Sequence, residues 1–355
     1  MRLESMVSAE PDLFTGNPFL AGALVTVDSH TAGEATRLVV GGLPPIPGDS
    51  VAAKRRYVAE HLDHVRLLLT REPRGHRDIF GAIVTAATSA DGDFGLIYMD
   101  ARRYPYMCGH ATIGAITTLL EMGWVPVTPG AAEQEVVVDT PSGPVCASAR
   151  LRWENGAVRV ASVAMQLMPS FVQATDQTVT VPGVGTFRAE LVCVGGTFIM
   201  VSADQIAHEL SAVNAPALAE LGMALIAAGN EQLAVRHPTR PDVNTIDVAE
   251  FYAPHGSGNS RSAVVYGEAH VDRSPCGTGT AAKLALFHHQ GLLAPGDELV
   301  SEGLLGTTFI GRIVRETTIG DLPAIVPEIR GSAHITGLHR FVVRPDDPFA
   351  EGFLF

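Results

Sequence analysis

A chain of 355 residues is long enough for two domains with a core each. Its 46% apolar and 18% charged residues exclude wholesale disorder. A net charge of −13 argues against nucleic acid or an anionic membrane as partner, because both call for a basic surface. Only Lys54 and Lys283 are lysines, which limits chemistry that needs a lysine amine. The four cysteines, Cys108, Cys146, Cys193 and Cys276, form no Cys-x-x-Cys pair and are too few for a disulfide scaffold. The first twenty residues lack a signal-peptide pattern, and no uninterrupted apolar stretch reaches the ~18 residues of a membrane span. A reduced, cytoplasmic protein is the expectation.

Residues 1–20 mix charges with prolines and glycines and read as a loose extension. Short strands are expected at Ala23 to Val27 and Thr36 to Val40, separated by the polar turn Asp28-Ser29-His30-Thr31-Ala32-Gly33-Glu34. Helical spacing of apolar residues predicts a helix over 50–70, then strands at Ile79 to Thr85 and Gly95 to Met99. A helix from about Ala111 to Met122 ends at Gly123. Val136 to Asp139, Val145 to Arg152 and Ala157 to Val163 read as antiparallel strands, with Asn155-Gly156 a hairpin turn. Phe187 to Val194 and Thr197 to Val201 are strands around Gly195-Gly196, and Ala215 to Ala228 is helical. Strand pattern returns at Val243 to Tyr252 and Ser262 to Tyr266, around a Gly-, Ser- and Asn-rich loop from Pro254 to Asn259. A second helix runs from about Thr280 to Gln290, and four strands between Glu298 and Val343 finish the chain.

Many antiparallel strands with few helices predict an α+β fold. The expected division is a first half of residues 21–152 plus 330–355, and a second half of residues 153–329.

One short pattern occurs twice, 168 residues apart: Cys108-Gly109-His110-Ala111-Thr112 and Cys276-Gly277-Thr278-Gly279-Thr280. Each follows a hydrophobic run and a Pro-containing segment and leads into a helix, so a strand–turn–helix unit is used twice with a thiol at the turn. Unpaired N–H groups at a helix start hold a carboxylate, and Gly109 and Gly277 let the backbone approach it. The same field is expected to lower the pKa of a thiol placed there. Two such helices meeting head-on would grip one carboxylate with a sulfur on each side. That geometry suits inversion at the carbon next to a carboxylate, one thiolate removing the α-proton and the opposite thiol returning one.

Cys146 and Cys193 read as small buried hydrophobes. Gly277 to Ala282 also fits a dinucleotide fingerprint, but Pro275 and Cys276 separate it from any preceding strand. The thirteen histidines show no metal-ligand spacing, and His288-His289 reads as a wet helix face.

Met107-Cys108-Gly109-His110 and the run Asp272-Arg273-Ser274-Pro275-Cys276-Gly277-Thr278-Gly279-Thr280 resemble the two signature motifs of the proline racemase family. The stretch Asp28 to Glu34 with Arg37 resembles it too, and the likeness spans about residues 24–344. The resemblance implies a diaminopimelate-epimerase-like fold. Two similar α/β halves, each a mostly antiparallel sheet around a central helix, would face across an active-site cleft, with no cofactor, no metal and often a homodimer. It implies that Cys108 and Cys276 are the acid–base pair and that backbone amides of Gly109, His110, Gly277 and Thr278 hold the carboxylate. Asp272 would take the ring ammonium, and Phe80, Tyr266 and Val248 would line the ring pocket. The implied substrate is a small molecule, proline or a hydroxyproline. Family members that dehydrate trans-3-hydroxyproline usually carry Thr where Cys276 stands. A 4-hydroxyproline 2-epimerase, a 3-hydroxyproline epimerase or dehydratase, a diaminopimelate epimerase, a non-catalytic imino-acid binding protein and a thiol redox protein are the alternatives.

Overall fold

The computed structural model describes residues 22–254 and 258–355; the extension expected over 1–20 and residues 255–257 of the Pro254–Asn259 loop lie outside them. The first part of the chain forms strands Leu24–Thr31 (β1), Glu34–Gly41 (β2), Phe80–Thr85 (β3), Phe94–Met99 (β4), Glu133–Thr140 (β5), Gly143–Glu154 (β6) and Ala157–Gln166 (β7). Helices Val51–His61 (α1), Asp63–Thr70 (α2) and Gly109–Glu121 (α3) lie among them. The second part forms Phe171–Val181 (β8), Gly185–Val194 (β9), Gly196–Ser202 (β10), helix Ala215–Gln232 (α4), Ile246–Pro254 (β11), Asn259–Tyr266 (β12) and His270–Val271 (β13). Helix Gly277–His289 (α5), Glu298–Glu302 (β14), Thr308–Ile319 (β15), Leu322–Gly331 (β16) and Ala333–Phe341 (β17) follow. This is an α+β fold.

The strand pairing repeats. Across β17-β1-β2-β3-β4-β5-β6-β7 the steps are antiparallel twice, parallel, antiparallel, parallel, then antiparallel twice. Across β8-β9-β10-β11-β12-β14-β15-β16 they are the same in the same order. A parallel pair needs a crossover, and the crossovers match as well. The β2–β3 crossover carries α1 and α2 and the β10–β11 crossover carries α4, while α3 and α5 sit in the β4–β5 and β12–β14 crossovers. Two similar halves result, joined by antiparallel pairing of β7 with β16. We infer from this pairing that the halves part between β7 and β8, later than the expected start of the second half at 153, with β17 completing the first half beside β1.

Helices α3 and α5 are buried on almost every side and share one core, to which α3 gives Ile113, Ile116 and Leu119 and α5 gives Leu284, Leu286 and Phe287. A helix apolar all round belongs in a core. Helix α4 passes for a membrane span by length and composition, but its Leu218, Leu221 and Leu225 pack into a core with Phe251 and Val265 of the sheet. Gly222 permits that packing, because a Cβ there would lie 2.7 Å from Val265 Cβ.

Three local expectations change. The helix over 50–70 is two helices that break at Leu62. Ser50 caps the first, and the break lets α2 turn Val65, Leu68 and Leu69 into the core while Asp63 pairs with Arg66 at 2.8 Å. Strand β8 was not expected, because its polar middle and two register shifts blur the alternation. Cys146 is exposed, on the outward face of β6, although Cys193 is buried as expected. The Asn155-Gly156 turn takes φ of 52° and 80°, the left-handed pair that a tight hairpin requires.

Candidate active site

Both motif cysteines cap their helices. Cys108 precedes α3 in an extended conformation, with φ −150°. Cys276 precedes α5 with φ +58°, a left-handed backbone that costs a side-chain-bearing residue on the order of 1–3 kcal/mol. Its sulfur accepts the Gly279 N–H at 3.3 Å and lies 3.4 Å from Thr278 Oγ1. The Cys108 sulfur lies 3.2 Å from Nδ1 of the buried His110 ring. A Cβ added to Gly109 or Gly277 would meet no atom within 4 Å, so open space faces both first turns.

The segment leading to Cys276 explains its spacing. Asp272 Oδ1 accepts both the backbone N–H and the hydroxyl of Ser274, at 2.8 and 2.7 Å. Ser274 Oγ in turn accepts the Cys276 N–H at 3.1 Å. Asp272 and Cys276 are thus fixed to each other through Ser274.

The β1–β2 hairpin of the first half reaches across to this segment. Its tip is Ala32-Gly33, and a Cβ on Gly33 would lie 3.0 Å from Leu305 Cδ1 and 3.3 Å from the Arg273 carbonyl oxygen. Thr307 Oγ1 donates to the Ala32 carbonyl at 2.6 Å. Glu34, just past the tip and buried, accepts the Arg273 N–H at 2.8 Å and lies 3.6 Å from His270 Nε2. Asp78, also of the first half, meets His270 Nδ1 at 3.3 Å and the Arg273 guanidinium at 3.0 Å. Two carboxylates of one half therefore hold two cations of the other. Burial alone would lower the His270 pKa, yet its hydrogen bond to Asp78 and the nearby Glu34 carboxylate carry it up to about 9. Asp28 and Arg37 serve the scaffold: a two-point ion pair, with Arg37 also donating to the Leu69 and Arg74 carbonyls.

The ring-pocket residues form two groups. Val248 and Tyr266 are cross-strand partners on β11 and β12, and the Tyr266 ring lies 4.7 Å from that of His270. Phe80 meets the His110 ring edge-on at 5.0 Å. Burial raises the Tyr266 phenol, and Asp272, Glu34 and both thiols act on it in the same direction. One tyrosine thus feels both halves of the motif pair, while Asp272 acts on both sulfurs. Helices α3 and α5 are in contact, and Asp272 and Tyr266 each interact with both thiols, which brings the two motifs into one region.

The expectation of thiols with lowered pKa is overturned. Burial pushes both Cys108 and Cys276 well up, Asp272 adds to it, and the backbone donors offset only part. The sequence pattern shows the helix termini; it does not show how far the fold draws the two sulfurs out of water. Glu34, Asp78, His270 and Ser274 were given no role in the sequence reading. For His270 the available signal was its place in the short segment between β12 and Asp272.

Two thiols thus stand at paired helix starts, with a buried carboxylate acting on both. The family model "Proline racemase" matches residues 26–354. A proline racemase of Clostridioides difficile is 41% identical over 334 residues, covering 94% of this chain and 98% of its own. A 4-hydroxyproline 2-epimerase of Streptosporangium roseum is 39% identical, covering 92% and 97%. A solved hydroxyproline epimerase from Agrobacterium vitis, with bound trans-4-hydroxy-L-proline, superposes with a TM-score of 0.81 at 30% identity, covering 94% and 96%. The chain belongs to the proline racemase family.

Proposed function

We propose that this enzyme inverts the α-carbon of free proline or a hydroxyproline without a cofactor, using Cys108 and Cys276 as a thiolate base and a thiol acid on opposite faces. The observation that carries the reading is the convergence of two helix-capping thiols on one region under the influence of Asp272. Substrate carboxylate would sit in the open space at Gly109, His110, Gly277 and Thr278, where N–H groups point and the developing charge is stabilised. The ring ammonium would go to Asp272. Its positive charge, brought beside two thiols that burial has made reluctant to ionise, favours the thiolate when substrate is bound. A thiol whose pKa is raised is also the stronger base once ionised, which suits removal of a weakly acidic carbon-bound proton.

Phe80 and Val248 supply an apolar wall for the ring, and the Tyr266 hydroxyl is the group placed to meet a substrate hydroxyl. Cysteine at position 276 disfavours the dehydratase alternative. A cytoplasmic enzyme, acting as a homodimer, completes the reading; the unpaired cysteines support the compartment, and the family likeness supports the dimer.

Loss of the α-proton in deuterium oxide, followed for both enantiomers of proline and for 3- and 4-hydroxyproline, tests substrate and reaction together. Exchange with at least one of these is expected, and its abolition by Cys108→Ala and by Cys276→Ala singly. Exchange with none removes the reading in favour of a binding protein, and full turnover in either variant removes the two-thiol scheme.

A further inference from the structure

The two halves repeat their strand pairing, but what lies behind the two thiols differs. Behind Cys276 is a fully buried pair, Glu250 on β11 and Lys283 on α5, 3.5 Å apart. Lys283 Nζ donates to Ser262 Oγ at 2.6 Å and to Ser301 Oγ at 2.7 Å, so its hydrogen bonds go chiefly to β12 and β14. A Cβ built on Gly279 would lie 3.0 Å from Glu250 Oε2 and 3.2 Å from Cys276 Cβ. The carboxylate and the carbon that bears the thiol therefore both border the same point beside Gly279, and Gly279 donates its N–H to the sulfur. Glu250 pairs across strands with Val264, twelve residues before Cys276, and Leu96, twelve residues before Cys108, pairs with Val84. Lys283 stands seven residues past Cys276; the residue seven past Cys108 is Ala115. The thiol with left-handed backbone is thus also the one backed by the buried Glu250–Lys283 pair, whereas the buried carboxylate that acts on Cys108 besides Asp272 is Glu34, on the hairpin of the first half.

We propose, resting on the two-thiol reading above, that Glu250 and Lys283 are positioning residues that make the pair of thiols unequal: the carboxylate beside Gly279 keeps Cys276 protonated in the free enzyme, while Lys283 holds that carboxylate under the first turn of α5. A negative charge this close opposes a second one on the sulfur; the Lys283 ammonium, which also interacts with Cys276, is drawn by its hydrogen bonds to the serines of β12 and β14. The groups facing Glu250 are Lys283 and Cys276 from α5 and its cap, Ser262 from β12, Asp272 from the segment after β13, and Tyr252 from its own strand. Burial, only partly offset by Lys283, lifts Glu250 to about 7, and Glu250 in turn raises Cys276. The resting enzyme then meets one substrate face with an acid already in place and the other with the group that ionises more easily.

Iodoacetamide modification of each cysteine, followed by peptide mass spectrometry across pH, reads the thiols without turnover. Glu250→Gln keeps the shape and a carbonyl for Lys283, and it is expected to speed Cys276 modification about tenfold at fixed pH while Cys108 changes less than twofold. The double variant Glu250→Leu/Lys283→Met, which gives the second half the apolar character of the first, is expected to do the same, so the test survives a folding failure of either. Equal changes at both cysteines, no change, or slower modification of Cys276 would each overturn the proposal. Failure of imino-acid exchange in the wild-type enzyme would instead remove the catalytic reading, leaving the inequality of the thiols to be decided by the modification rates.

Discussion

His270 offers the sharpest test of how the halves are held together. It belongs to the second half, its partners Asp78 and Glu34 to the first, and its folded pKa stands at about 9 against an ordinary 6.5. The folded protein therefore binds this proton more tightly than the unfolded chain does. The resulting stability is fully present below pH 6.5 and is lost as pH rises through 9. Linkage with those two values gives a loss of roughly 2.5 kcal/mol between pH 5.5 and 8.5. Urea unfolding at both pH values, in the wild type and in His270→Gln, measures it. The comparison must be the difference between the two proteins, because burial lowers His76 and His110 and they contribute with the opposite sign. Working at or below pH 8.5 keeps the raised thiols from dominating. The wild type should lose about 2.5 kcal/mol more than the variant over this interval. Identical pH slopes in the two proteins would refute the claim that a protonated His270 ties the halves.

Gly279→Ala places a methyl 3.0 Å from both Glu250 Oε2 and Val264 Cγ2. Overpacking of this kind costs about 1–3 kcal/mol, so a lower melting temperature and a loss of exchange rate of at least tenfold are expected; a variant that melts and turns over like the wild type would contradict the geometry. Asp272→Asn should raise KM for the imino acid by tenfold or more, since the ring ammonium loses its counter-charge. The same substitution should raise the melting temperature of the free enzyme, because burial and Glu34 lift the Asp272 pKa by more than His110, Ser274 and His270 lower it, and a buried carboxylate so placed is costly above the ordinary carboxylate pKa. A melting temperature that falls would show that Asp272 is held in place by its charge rather than by Ser274.

Much of the site was legible because its signals are local. The repeated Cys-Gly-x-x-Thr marks two helix starts whatever the rest of the chain does, and the hairpin turn at Asn155-Gly156 follows from backbone sterics alone. Asp272 was legible through its fixed distance from Cys276, and the Ser274 bridge now supplies the reason for that distance. The interlock of Glu34, Asp78, His270 and Arg273 was not. Its members are separated by up to 239 residues, and only the packing of the β1–β2 tip on the second half brings them together. Helix α1 and helix α2 share one periodic pattern, so a break that merely re-aims the apolar face leaves no mark in spacing.

The thiols show where reading from sequence stops for a physical reason. A helix start lowers a thiol's pKa by a modest local field, whereas burial raises it by an amount that depends on how well two distant halves close. The first can be read from eight residues; the second is a property of the whole fold, and it has the larger effect here on both Cys108 and Cys276. The same reasoning applies to the difference between them. Repetition of a motif suggests two equivalent bases, yet equivalence requires the surroundings to repeat as well. Val84 and Ala115 in one half against Glu250 and Lys283 in the other show that they do not. A catalyst that works on both configurations has no need of identical acids, because each configuration would present its α-proton to a different one of them. Unequal thiols would fix the protonation state in which the free enzyme waits, and with it the configuration it is ready to receive.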